Sequence, residues 1–239
     1  MLIHADLHIH TTLSPCGDLE MSPARIIAMA RQRNLGIIGI TDHNSTRQAG
    51  IIRELGKEKG IWVLTGVEIT TSEEAHCLAF FGCDDSLGTF QAYLDRHLPD
   101  IPNKPEKFGY QVVANVQEEI IYEEKKLLIA ALDQNLREIE KKVRECDGIF
   151  IPAHIDKPRF SILSQLGFIP PDLRYDALEV SANTTPGIFA GQHPELKNAP
   201  FIHSSDAHYP EDIGKVSTSL SLSEISFPTI RKALSRLKV

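Results

Sequence analysis

Short apolar runs alternate with amphipathic stretches along most of the chain, and the runs have strand length. Residues 2–7 form the first. Ser22-Pro23 then sets a capping hydroxyl before a proline suited to the first helical turn, predicting a helix through about Arg33 with Ile26, Ile27, Met29 and Ala30 on its apolar face. Residues 36–40 read as a buried parallel strand. A helix over 46–59, a strand from 61 running toward 69, a strand over 76–83 and a helix over 87–98 follow. Beyond them lie a helix near 132–146, strands at 148–152, 177–180 and 200–203, and a last helix from Ser226-Phe227-Pro228. This order predicts an α/β fold of parallel strands joined by helical crossovers. With no G-x-G-x-x-G turn, a closed (β/α) barrel is expected.

Residues 100–131 break the pattern. They open with prolines and charges, and then Gln111-Val-Val-Ala-Asn115 and Glu119-Ile-Ile-Tyr122 suggest two short strands. The segment is longer than an ordinary connection, so it reads as an insert, a hairpin with a helix, within a single domain spanning 1–239.

Composition narrows the class. At 239 residues the chain can bury a large core without staples, and its formal charge of −7 argues against a broad nucleic-acid-binding surface. The four cysteines make no C-x-x-C pair, and Cys77 and Cys83, in an apolar stretch, are expected in the core. The N-terminus has no basic leader, and no apolar run approaches the ~18 residues of a membrane span. A soluble, cytoplasmic protein is expected.

The informative polar residues fall where apolar strands end. His8 and His10 follow the first strand two positions apart, which on extended backbone sets both imidazoles on one face ~6–7 Å apart. Thr41-Asp42-His43, Gly66-Val-Glu68, Pro152-Ala-His154 and Ser204-Ser-Asp206-Ala-His208 end later strands, while His76, at a strand start, is the exception. In a parallel barrel the C-terminal strand ends converge on the active-site face. Core packing would choose Val, Ile and Leu there, so imidazoles and acids sharing that phase point to a metal centre. Asp18 is a further candidate in Ser14-Pro-Cys-Gly-Asp18; Cys16 could compete with it, although a thiolate is the softer ligand in an N/O site.

The series Asp6-Leu-His8-Ile-His10-Thr-Thr, Thr-Asp42-His43, Gly-Val-Glu68, His76, Pro-Ala-His154 and Ser-Asp206-Ala-His208 resembles the PHP (polymerase and histidinol phosphatase) family in residue type and order. The resemblance implies a distorted (β/α)7 barrel with two to three divalent ions (manganese, iron or zinc) at the C-terminal ends of the strands. It implies one ion on His8, His10, Glu68 and Asp206, with Glu68 bridging to a second on His76 and His154, and a third on Asp18, His43 and His208. Pro15-Cys16-Gly17 lengthens the gap before Asp18 relative to the family pattern, and the insert is no part of the minimal barrel. Polymerase-linked members lie in much longer proteins, so a free-standing enzyme is expected.

Three divalent ions against three carboxylates would leave a positive well suited to a phosphate ester. The expected activity is therefore phosphoester hydrolysis by a metal-activated hydroxide, on a phosphomonoester, a nucleotide or a short oligonucleotide. Asp206 or His208 would relay a proton, and Lys157 and Arg159 would contact the phosphate. Two alternatives stand beside this reading. An amidohydrolase-type C–N hydrolase also begins with H-x-H, but its strand lysine and lone terminal Asp have no counterpart here. A non-enzymatic metal-binding module would tend to lose ligands, whereas every position of the set is filled.

Overall fold

The computed structural model describes residues 1–238. In chain order the elements are β1 (Leu2–Ile9), α1 (Pro23–Gln32), β2 (Ile37–Ile40), α2 (Ala49–Glu58), β3 (Trp62–Thr70), β4 (His76–Phe81), α3 (Asp84–His97), α4 (Pro105–Phe108), β5 (Val112–Ala114) and β6 (Ile120–Glu123). Then come α5 (Leu136–Glu145), β7 (Ile149–Pro152), α6 (Ile162–Leu166), β8 (Leu178–Val180), α7 (Pro186–Gln192), β9 (Phe201–His203), β10 (Thr218–Ser221) and α8 (Phe227–Leu234).

Six strands form one sheet in the order β10-β1-β2-β3-β4-β7, and β8 and β9 pair in parallel beside it. The small sheet bonds to both flanks of the large one. Asp176 N donates to Phe150 O at 2.9 Å and Ile155 N to Glu179 O at 2.8 Å on the β7 side, while Ala207 N reaches His8 O at 3.1 Å on the β1 side. The result is the curled, mixed α/β sheet of a distorted barrel. One expectation needs correction: the strands are not uniformly parallel. β4 runs antiparallel to both β3 and β7, because five residues join it directly to β3 without a crossover helix. β10, which the sequence reading missed, adds an antiparallel edge beside β1.

Side-chain alternation sorts the core into layers. Ala5, Leu7, Leu64, Leu78, Phe80, Ile149 and Ile151 cluster on one face of the sheet with Ile230 and Leu234 of α8. On the other face, α3 and α5 cover Val67, Ala79, Phe81 and Phe150, and α1 and α2 cover Ile9, Ile38 and Ile40. The Ser22 cap forms as the sequence predicts, its Oγ accepting from Arg25 N. Helix α2 starts at Ala49 rather than near Thr46, because the Thr46 amide and hydroxyl are bound to Gln91 Oε1 at 2.6 and 2.9 Å. Residues 100–131 hold α4 and the antiparallel β5–β6 hairpin. Cys77 is buried as expected, but Cys83 is exposed, lying just past β4 at the N-cap of α3. Among the described residues no helix is long and apolar enough to cross a membrane.

Candidate metal centre

A bulge in β1 aims its histidines. Asp6 pairs with Ile38 and Ile9 with Ile40, so three residue steps on β1 face two on β2. The extra residue shifts the alternation: Leu7 joins the inner apolar cluster, yet His8 and His10 also meet the inner acids while Ile9 packs outward. The bulge presses β1 against β2 at Gly39, where a Cβ would lie 2.5 Å from Leu7 O and could find no flexible neighbour to displace. Glu68 stands on β3 in phase with Leu64, and His76 on β4 in phase with Leu78 and Phe80. Because β4 is reversed, its first residue lies at the rim where the parallel strands end, which resolves the apparent exception of His76.

Loops deliver the remaining groups. The Asp42–Asn44 segment is clamped to β3, with Glu68 N donating to Asp42 O at 3.0 Å and Asn44 N to Glu68 O at 2.8 Å. His154 follows β7 and Asp206 follows β9, both with positive φ (28° and 53°), the kind of backbone strain that functional sites retain.

Glu68 lies at the middle. Its Oε1 is 2.8 Å from His76 Nδ1, 3.0 Å from His154 Nε2 and 3.4 Å from His8 Nε2; its Oε2 is 3.0 Å from His43 Nδ1 and 3.3 Å from His10 Nε2. Asp206 Oδ1 is 3.3 Å from His8 Nε2 and 3.1 Å from His10 Nε2. His8, His10, His43, Glu68 and His154 are buried to within a few per cent, and His76 nearly so.

Hydrogen bonding fixes which atoms carry lone pairs. His8 Nδ1 lies 2.9 Å from a carboxylate oxygen of Glu179, which accepts only, so the Nδ1 proton is there and Nε2 is bare. His10 Nδ1 lies 2.9 Å from Ser14 Oγ, whose own proton goes to Asp42 Oδ1 at 2.7 Å, so His10 Nε2 is bare as well. These two nitrogens face each other at 3.2 Å, with Glu68 and Asp206 oxygens around them. Lone pairs packed this closely and away from water repel unless positive charge sits between them. Imidazole nitrogen with carboxylate oxygen is a donor set for first-row divalent metals, so these residues fit such an ion.

Without an ion the same demand falls on protons. Burial disfavours a charged His10, yet Asp206 and Glu68 outweigh it and raise its pKa to about 9. Burial opposes ionisation of Glu68, but His76, His8 and His43 hold it well below the carboxylate range. Burial, with His10 beside it, lowers His208 to about 4.

The other expected residues divide. His208 Nδ1 donates to Asp206 O at 2.8 Å, and its ring stacks on His10 with centroids 4.2 Å apart. Lys157 Nζ bonds Asp206 Oδ2, and Arg159 lines the same cavity of about 300 Å³ without an ion pair among the described residues. Asp18 is not gathered in: its carboxylate accepts the Glu20 amide at 2.7 Å, capping a turn, and the side chain that lies with His10, His43 and His208 is that of Cys16. Burial and the nearby Glu68 carboxylate push the Cys16 thiol pKa upward. A larger groove of about 660 Å³ beside the β5–β6 hairpin is lined by none of these groups.

Sequence reasoning missed several supporting residues. Glu179 is fully buried in β8 and also accepts the His154 amide at 2.8 Å; an acid inside the apolar run 177–180 was a usable signal. Asp42, read only as part of a motif, takes Thr11 N, Thr11 Oγ1 and Ser14 Oγ, each at 2.7 Å. Phe160 stacks on His76 at 5.0 Å between centroids, a contact no sequence pattern announces.

Comparison with known proteins agrees with this fold. Protein YqxK of Bacillus subtilis, itself uncharacterised, is 25% identical over 97% of this chain. The lesion-specific endonuclease Q of Pyrococcus furiosus superposes over 98% of the chain with a TM-score of 0.76 at 19% identity. A candidate metal-dependent phosphoesterase from Bifidobacterium adolescentis superposes over 98% of this chain and 96% of its own, with a TM-score of 0.61 at 19% identity. This chain spans 62% of the Bacillus protein and 56% of the endonuclease. The family model described as PHP domain matches residues 6–159, well over half the sequence and the stretch that carries His8, His10, His43, Glu68, His76 and His154. The chain belongs to the PHP domain family.

Proposed function

We propose that this chain is a metal-dependent hydrolase, a phosphoesterase acting on a phosphomonoester or nucleotide-like substrate. The supporting observation is the convergence of bare nitrogens and carboxylate oxygens at the floor of a cavity whose rim carries Lys157 and Arg159. His8, His10, Glu68 and Asp206 would hold one divalent ion, Glu68 would share a second with His76 and His154, and His43 and His208 would serve a third. Bound there, such ions supply Lewis acidity toward a phosphoryl oxygen and toward water.

The chain's own groups have distinct tasks. Glu179, Ser14 and Asp42 hold His8 and His10 in the tautomers that keep Nε2 free. Lys157 and Arg159 bind and orient a substrate phosphate; Arg159 offers a guanidinium that makes no ion pair among the described residues. His208 is fixed through Nδ1 to Asp206 O, which keeps its Nε2 for an ion, and Asp206 can receive a proton at Oδ2 when Lys157 turns to substrate. A neutral amide would gain less from that cationic rim, which favours the phosphoester reading over C–N hydrolysis.

The test is an assay of stripped and reloaded protein, with manganese, iron(II) or zinc, on p-nitrophenyl phosphate, a nucleoside bisphosphate, a short oligonucleotide and an acyl-amide panel. Phosphate or nucleotide release that disappears with chelation is the expected result. Amide cleavage in its place, or full metal content without any hydrolysis, would overturn the proposal.

A further inference from the structure

We infer that Cys16 is a metal ligand, completing a Cys16–His43–His208 site of mixed nitrogen and thiolate character beside His10, at the edge of the centre. The inference rests on the metal-binding reading above and departs from it in the ligand: the third position takes sulfur, not the Asp18 carboxylate.

Cys16, His43 and His208 each offer one donor atom, and these atoms lie within 4.8 Å of one another and of His10. A tetrahedral ion with Zn–S near ~2.3 Å and Zn–N near ~2.0–2.1 Å sets its donors ~3.3–3.6 Å apart, so donors at that limit would need to close by about 1.2–1.5 Å. The backbone turn that presents Cys16 is held from both sides. Gly17 N donates to Ser14 O at 2.9 Å, Asp18 N donates to His208 O at 2.9 Å, and a Cβ on Gly17 would lie 2.5 Å from Thr11 O. The turn is thereby tied to the strand end carrying His10 and to the loop carrying His208, and its Cys16 side chain lines the cavity.

Two further observations point to a missing ligand rather than an idle thiol. His208 spends its Nδ1 proton on Asp206 O, which leaves Nε2 bare. His43 is 94% buried, and its Nδ1, 3.0 Å from Glu68 Oε2, makes no well-aligned hydrogen bond with it. Meanwhile the Asp18 carboxylate is engaged by the Glu20 amide. A thiolate with imidazoles selects zinc or iron(II) over manganese, so this position would differ in metal preference from the carboxylate-rich positions around Glu68.

The experiment follows alkylation of Cys16 by iodoacetamide, resolved by peptide mass spectrometry, in full-length protein before and after loading with zinc. Exposed Cys83 serves as the internal control. Loading is expected to slow alkylation of Cys16 by at least about tenfold and to leave Cys83 unchanged, because a coordinated thiolate is not free to react. Loading with cobalt(II) should give a thiolate-to-cobalt charge-transfer absorption that Cys16→Ser abolishes. Cys16→Asp should lack the absorption while still binding an ion, with its preference moved toward manganese. Protein shown by elemental analysis to be loaded, but with Cys16 alkylated at the stripped rate and no charge-transfer absorption, would overturn the inference alone. Protein that takes up no ion would overturn the metal-binding reading with it.

Discussion

Glu68 meets five histidines through its two oxygens, so the centre depends on it in a way no single histidine matches. Glu68→Gln keeps the volume but replaces one acceptor oxygen by a donor pointing at imidazoles; metal affinity should fall on the order of 10²-fold or more, as read by competition with a chromophoric chelator. Glu179 touches the centre only through His8 and the His154 amide. Glu179→Ala should weaken metal binding by about 10–100-fold, the usual cost of losing an orienting partner, and unchanged affinity would contradict its assigned role. Arg159→Met should raise KM by roughly tenfold with kcat little changed, since a rim guanidinium binds ground and transition states alike. At this scale the sequence was informative where chemistry is rare in its setting: imidazoles and acids at the ends of apolar strands. It could not separate the two roles at Asp18, because a turn acid and a ligand acid look the same until the turn's own hydrogen bonds are known.

Among the elements, β1 and β4 do most to assemble the centre. The β1 bulge lets consecutive positions serve first the apolar layer and then the polar one, and Gly39 makes room for it. Gly39→Ala should destabilise the protein by roughly 1–3 kcal/mol in urea titration, with weaker metal binding as His8 shifts; a neutral result would show that the sheet absorbs the methyl elsewhere. Apolar runs and the Ser22-Pro23 signal made most strands and helices legible, because burial and capping are local rules. The direction of β4 was not, since a run apolar on both faces reads the same in either sense. Nor was the start of α2, which Gln91 of a different helix decides.

Across the whole molecule, a chain with formal charge −7 concentrates bare donors at one end of its sheet. Metal-free protein must offset them with protons. His10 is raised from its ordinary value to about 9, so its contribution to stability is complete below pH 6.5 and is lost as pH rises through 9. A divalent ion that displaces those protons gains as they leave. The difference in Tm between loaded and stripped protein should therefore widen from pH 6.5 to 9, and a constant difference would argue against proton–metal competition at His10.

Elemental analysis of the protein before and after chelation, with Tm recorded on each sample, asks whether the converging donors hold cations. At least two divalent ions per chain, removed by chelator with a clear fall in Tm and restored on reloading, is the expected result. Protein that carries no divalent ion, takes none up when supplied, and melts at the same temperature throughout would contradict the assignment of this cluster as a metal centre.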